Sequence, residues 1–125
     1  MLPPIAQVAL GGAAGASLRW LLGLAALRWA GAGYPLAVPA ANVLGSFLMG
    51  AFVATAADRG WGHVAPLVAT GLLGGFTTFS AFSLEAVELM GRGQGGAAAL
   101  YVALSVGLSI GALALGAWLT GGRIA

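Results

Sequence analysis

Tyr101, Ser105 and Ser109 fall at i, i+4 and i+8 of one apolar stretch. That spacing stacks side chains on one helix face and would draw three hydroxyls out over about 12 Å. Such a row can hand an ion from one hydrogen-bonding group to the next while it is out of water. The competing reading is the ordinary one for serine in apolar helices, which bonds back to the i−4 carbonyl or joins two helices. Asn42, with Ser46 one turn on, is a second candidate. Its amide offers two N–H donors to an anion and is costly deep in an apolar segment unless it is used. Phe79 and Phe82 lie three apart, so their rings should meet on one face beside Ser80 and Ser83. Ring edges are positive and ring faces negative, so edges turned into a path favour an anion and faces a cation, with plain packing as the alternative.

These residues need elements that bring them together, and the segment Gly71 to Glu85 (GLLGGFTTFSAFSLE) is the most informative of them. Paired glycines, paired threonines and three phenylalanines inside an apolar stretch predict a broken helix. In hydrocarbon, non-helical backbone persists only where protein buries it or a wet cavity receives it, so a break at this depth marks an ion or substrate site.

Composition identifies the solvent. The chain has 125 residues, 60% of them hydrophobic and 6% charged, with a mean hydropathy of +0.99. That is too little charge to cover a soluble domain, so the chain reads as an all-α integral membrane protein. The absence of cysteine excludes disulfides and thiolate metal sites and points away from redox chemistry. The net charge of +2 comes from scattered arginines set against Asp58, Glu85 and Glu88. No basic run is present to track phosphates, which argues against a nucleic-acid partner.

A spanning helix needs roughly 20 largely apolar residues. Four such stretches are predicted, near residues 5–27, 36–57, 64–90 and 97–120, separated by turns too short to hold a domain. This predicts a single four-helix transmembrane domain, residues 1–125. The first stretch lacks a basic leader and carries Arg19, so it is expected to be a retained span and not a signal peptide. Trp20, Trp29, Tyr34, Trp61 and Trp118 mostly fall near helix ends, where amphipathic rings favour the headgroup layer. Gly11 with Gly15, Gly71 with Gly75, and Gly107 with Gly111 are small-xxx-small pairs that predict tight packing of the first, third and fourth helices.

Four spans put Arg59 and Arg123 on one side of the membrane and Arg28 and Arg92 on the other. With two arginines on each side, the positive-inside rule has almost nothing to act on, which predicts insertion in both senses. Oppositely inserted copies can pair about a twofold axis in the membrane plane, giving an antiparallel dual-topology homodimer.

At three places the sequence resembles the small bacterial fluoride channels of the CrcB/Fluc type. Gly11 to Trp20 (GGAAGASLRW) is similar to that family's first-helix motif, Asn42 to Gly45 (NVLG) to its second-helix motif, and Gly74 to Phe82 (GGFTTFSAF) to its broken-helix signature. The resemblance covers nearly the whole chain. It implies a dual-topology homodimer in the bacterial plasma (inner) membrane, with two antiparallel pores that let cytoplasmic fluoride leak out passively. It implies that Asn42, Phe79, Phe82, Tyr101, Ser105 and Ser109 line the fluoride path. It also implies that the main-chain carbonyls of Gly74 and Thr77, from both subunits, hold a central structural sodium ion. Arg19 matches the family's first-helix arginine and is read as lining an aqueous vestibule where its charge concentrates anions, with snorkelling as the alternative. Glu85 and Glu88 would repel an anion in the pore and are expected at the membrane interface, ending the helix or pairing with an arginine.

One position departs from the family pattern, because Ala81 stands where a threonine is usual. Ser80 is expected to take over much of the lost hydrogen bonding. Two other function classes fit less well. A small proton-coupled multidrug-type exporter shares four spans and dual topology, but that type needs a carboxylate in its first helix, where this chain has only Arg19. An enzyme is not expected, since the single histidine, His63, sits in a loop without a carboxylate or thiol constellation around it.

Overall fold

Four helical spans, Pro4–Ala30, Ala37–Arg59, Trp61–Gly91 and Gly95–Leu119, are each long and apolar enough to cross a bilayer. The chain is therefore a multi-pass membrane protein. The computed structural model describes residues 1–31 and 35–121. Tyr34 and Arg123 lie outside the described residues. Among those described, every regular element is helical.

Helix α1 (Pro4–Ala30) starts with Pro4 in its first turn, where a missing N–H removes no intrahelical bond. Helix α2 (Ala37–Arg59) stops at Gly60, whose φ of 70° and ψ of 32° put it in the left-handed region that glycine enters without a Cβ penalty. The third span is built in pieces. A 3₁₀ turn, Trp61–Val64, leads into a π-helical run, Pro66–Leu73, and then into one turn of α-helix, α3 (Gly74–Phe76). Thr77 (φ −91°, ψ 155°) and Thr78 (φ −153°, ψ 127°) are extended, after which α4 (Phe79–Gly91) resumes. The interruption is shorter than the sequence suggests, because Gly74 at φ −64° and ψ −37° is still helical. Helix α5 (Gly95–Leu119) is the last described element.

Two helix pairs carry the packing, and glycine makes each possible. Gly11 and Gly15 of α1 lie against the backbone of Leu67, Leu72 and Phe76, while a Cβ on Gly75 would come within 2.8 Å of the Gly12 carbonyl oxygen. The expected close approach of the first and third spans is thus present. The fourth span behaves differently. Gly107 and Gly111 are exposed with nothing near them. Instead α5 meets α2 through Gly116, seated on the backbone of Phe47 and Ala51, and through Gly50, seated on that of Leu113 and Ala117. Outward-facing side chains such as Leu108 and Trp118 are exposed, as lipid contact requires.

Candidate functional site

The break is held open by side chains that take the places of helical backbone partners. In an uninterrupted helix the Thr78 N–H would donate to the Gly74 carbonyl. Here it donates to Asn42 Oδ1 at 2.8 Å, and Asn42 Nδ2 donates back to the Thr78 carbonyl at 3.0 Å. Likewise the Ala81 N–H would donate to the Thr77 carbonyl, but it donates to Thr78 Oγ1 at 3.2 Å. Thr78 is thus the N-cap of α4, a role for which threonine is well suited. The upstream arm ends cleanly, with the Thr77 N–H donating to the Leu73 carbonyl at 3.0 Å and Thr77 Oγ1 donating to the same oxygen at 2.9 Å. The usual donors to the Gly74 and Thr77 carbonyls are both engaged elsewhere. The amide of Asn42, expected to offer its N–H groups to an anion, gives one of them to a backbone carbonyl instead.

Beside this break lies a cavity of about 300 Å³. It gathers Asn42, Phe79, Phe82, Ser105 and Ser109, five of the six side chains that the resemblance places on the fluoride path, together with Ser46, Thr77 and Thr78. These residues come from α2, the break, α4 and α5. The Phe79 and Phe82 rings meet as their spacing predicts, with centroids 5.4 Å apart and planes tilted by 58°. Phe79 is nevertheless 76% exposed, so one wall of the cavity is open in the single chain.

Tyr101 and Ser80 do not line that cavity. Tyr101 is 2% exposed and stacks on Phe82, with centroids 5.4 Å apart and planes at 16°, and its hydroxyl donates to Glu85 Oε2. Ser80 is exposed and shares a 3.2 Å hydrogen bond with Thr78 Oγ1. Ser83 bonds back to the Phe79 carbonyl at 2.9 Å, the ordinary helical use of serine.

Arg19 opens onto a second cavity of about 430 Å³, whose lining includes Trp20, Glu85, Glu88 and Arg92. Half-buried, Arg19 donates from Nε to the Gly75 carbonyl at 3.3 Å, so it caps one of the carbonyls freed by the break. Glu88 pairs with Arg92 at 3.9 Å with both side chains about half exposed, a geometry that contributes little to stability. Glu85 shares the cavity of Arg19 and is held by Tyr101. Sequence reasoning missed Thr78 as a cap, although a threonine directly before a resuming helix is a readable signal. It also missed the clamp between Asn42 and Thr78, which joins residues of two different spans.

Comparison with known proteins supplies the family. Curated relatives named "Fluoride-specific ion channel FluC" include one from Ruegeria sp. (strain TM1040), 62% identical over 117 residues covering 93% of each chain. Another, from Roseobacter denitrificans, is 59% identical over 117 residues, covering 92% of this chain and 93% of the relative. A third, from Rhizobium etli, is 48% identical over 111 residues, 87% of this chain and 89% of the relative. The model of the CrcB-like family, described as "CrcB-like protein, Camphor Resistance (CrcB)", matches residues 6–117 and so takes in all four spans and the break: the chain belongs to the CrcB-like family.

Proposed function

We propose that this protein is a fluoride-selective channel that lets cytoplasmic fluoride leave a bacterium across its inner membrane by passive electrodiffusion. The observation that carries the reading is the gathering of Asn42, Phe79, Phe82, Ser105 and Ser109 around one cavity next to a broken membrane helix. The channel names of relatives up to 65% identical support it.

Fluoride is small and strongly hydrated, so burying it without replacement partners costs several kcal/mol or more. The serines of α5 offer hydroxyl hydrogens. Phe82 stacks on Tyr101, meets Phe79 and lines the cavity, and the edge is the electropositive part of such a ring. A ladder of such weak sites lets an ion enter and still leave, as conduction requires. Arg19 shares the wider cavity with Arg92, Glu85 and Glu88, and its charge attracts anions to its own part of the wall.

The working unit in this proposal is an antiparallel homodimer with two pores. The exposure of Phe79 supports it, because a cavity open on one side needs a further wall to exclude water. Arginines balanced across the turns support the opposed insertion. A sodium ion at the dimer axis fits the donor set. The Gly74 and Thr77 carbonyls have lost their ordinary donors to Asn42 and Thr78, Gly74 is exposed, and carbonyl oxygens are hard ligands suited to a hard cation. When bound there, the ion would supply positive charge midway through the dimer.

The test is ion loss from liposomes holding the purified protein. Rapid, voltage-driven fluoride efflux without chloride efflux is the expected result. Equal permeability to the two halides would overturn the reading.

A further inference from the structure

We propose that Gly45 is a positioning residue for the ion path, because its missing side chain provides the seat for the Thr77 methyl and so fixes where the break lies against α2. The inference rests on the fluoride-channel reading and deepens it.

Helix α2 presents Asn42, Gly45 and Ser46 to the break at i, i+3 and i+4, one shared face. Asn42 holds the backbone of Thr78 by two hydrogen bonds. One turn further on, Gly45 is buried, and a Cβ built there would overlap Thr77 Cγ2 and come within 3.3 Å of Phe76 Cδ2. Thr77 has no free rotation by which to yield. Its Oγ1 is committed to the Leu73 carbonyl at 2.9 Å, which fixes χ1 and with it the direction of the methyl group. A side chain at position 45 must therefore push the Thr77 backbone or break that hydrogen bond. Thr77 also lines the cavity with Asn42 and Phe79, so the displacement passes directly into the path.

The other tightly packed glycines act elsewhere. Gly50 and Gly116 face backbone of Leu113, Ala117, Phe47 and Ala51, none of which lines the cavity. Among the described glycines, Gly45 alone meets a methyl of the break, and that makes its role separable from packing by a second substitution. Thr77→Ser removes Cγ2 and keeps Oγ1.

The experiment compares fluoride efflux from liposomes for the wild type, Gly45→Ala, Thr77→Ser and the double variant. Gly45→Ala is expected to lose at least about tenfold in rate, in line with the cost of misplacing a functional group by a fraction of a bond length or more. The double variant is expected to conduct within about threefold of Thr77→Ser, since the clash is relieved and the Leu73 bond retained. A general packing defect at position 45 would not be repaired by trimming one methyl across the contact. Gly45→Ala at the wild-type rate overturns the proposal, as does a double variant that stays inactive while Thr77→Ser conducts, or a Thr77→Ser variant that itself does not conduct. If Gly45→Ala alone fails to assemble, the double variant carries the test, and its assembly and conduction support the proposal while its failure overturns it. A wild type that passes no fluoride sinks the channel reading instead, so the two failures are distinguishable.

Discussion

Tyr101 donates its phenolic hydrogen to Glu85 while its ring lies nearly flat on Phe82, 5.4 Å away between centroids. Phe82 belongs to the wall of the smaller cavity and Glu85 to that of the larger one. Tyr101 thus bridges the two spaces. The row of hydroxyls on α5 divides between them, with Ser105 and Ser109 lining the smaller cavity and Tyr101 turned to the carboxylate.

This division ranks the hydroxyls of α5. Tyr101→Phe keeps the stacked ring and removes one hydrogen bond to a carboxylate, a net loss of about 1.5–3 kcal/mol to stability. Ser109→Ala removes a hydroxyl from the cavity lining itself. Ser109→Ala is expected to slow fluoride efflux more than Tyr101→Phe, measured as initial rates from liposomes. The reverse order would mean that the Tyr101 hydroxyl leaves Glu85 to serve the ion.

Asn42→Ala removes both partners of the Thr78 backbone. Each buried group left unpaired costs about 1–3 kcal/mol, and the Thr78 N–H can relieve its share by returning to the Gly74 carbonyl, which extends the helix through the break. The expected outcome is loss of fluoride flux by more than about tenfold, with amide exchange at Thr78 altered to match its new partner. Wild-type flux in this variant would show that the clamp does not hold the path open.

The extent to which all this was legible in the sequence differs from element to element. The four spans follow from apolar length, and the break from paired threonines set beside paired glycines inside an apolar stretch. The contact of Gly11 and Gly15 with the third span was also readable. The α2–α5 contact was not. A small-xxx-small pattern says that close approach is permitted but not which face receives a neighbour, so Gly107 and Gly111 looked as suitable as Gly50 and Gly116. The π-helical run Pro66–Leu73 carries no residue-type signal separating i→i+5 from i→i+4 bonding. The partner of Asn42 is invisible because it is a backbone group 36 residues away whose availability depends on the break itself.

Ser80 and Ser83 test the consequence of Ala81. Ser80 touches the capping hydroxyl of Thr78, whereas Ser83 is bonded to its own helix. Ser80→Ala should therefore lower fluoride flux more than Ser83→Ala. Equal and negligible effects of the two substitutions would refute the idea that Ser80 supplies the hydrogen bonding a threonine at position 81 would give.

Stability should separate the glycines that the sequence left indistinguishable. Gly116→Ala places a Cβ against the Phe47 carbonyl and within 3.1 Å of the Ala51 nitrogen, so α2 and α5 must part, at a cost of about 1–3 kcal/mol for overpacking. Gly107→Ala meets open space and gains helix propensity. In detergent, Gly116→Ala is expected to melt several degrees below the wild type and Gly107→Ala at or above it. A Gly107→Ala protein that melts lower would show that this face of α5 is already covered in the assembled protein.

Opposed insertion has a direct chemical test, because the chain has no cysteine and a single introduced thiol reports its own side of the membrane. Gln94 is exposed in the turn between α4 and α5, at the end that holds Arg92, and its side chain forms no cap. At the opposite end Arg59 lies over the Trp61 ring, 5.7 Å from its centroid. One arginine at each end is what the proposed insertion in both senses calls for. In sealed cells, an impermeant maleimide should label about half of a Gln94→Cys population, and the remainder should react only after the membrane is opened, as equal insertion in both senses requires. Labelling of all or none of the protein from outside would establish one fixed orientation. The antiparallel pair, and with it the assignment of the open wall at Phe79 to an inverted second copy, would then fall.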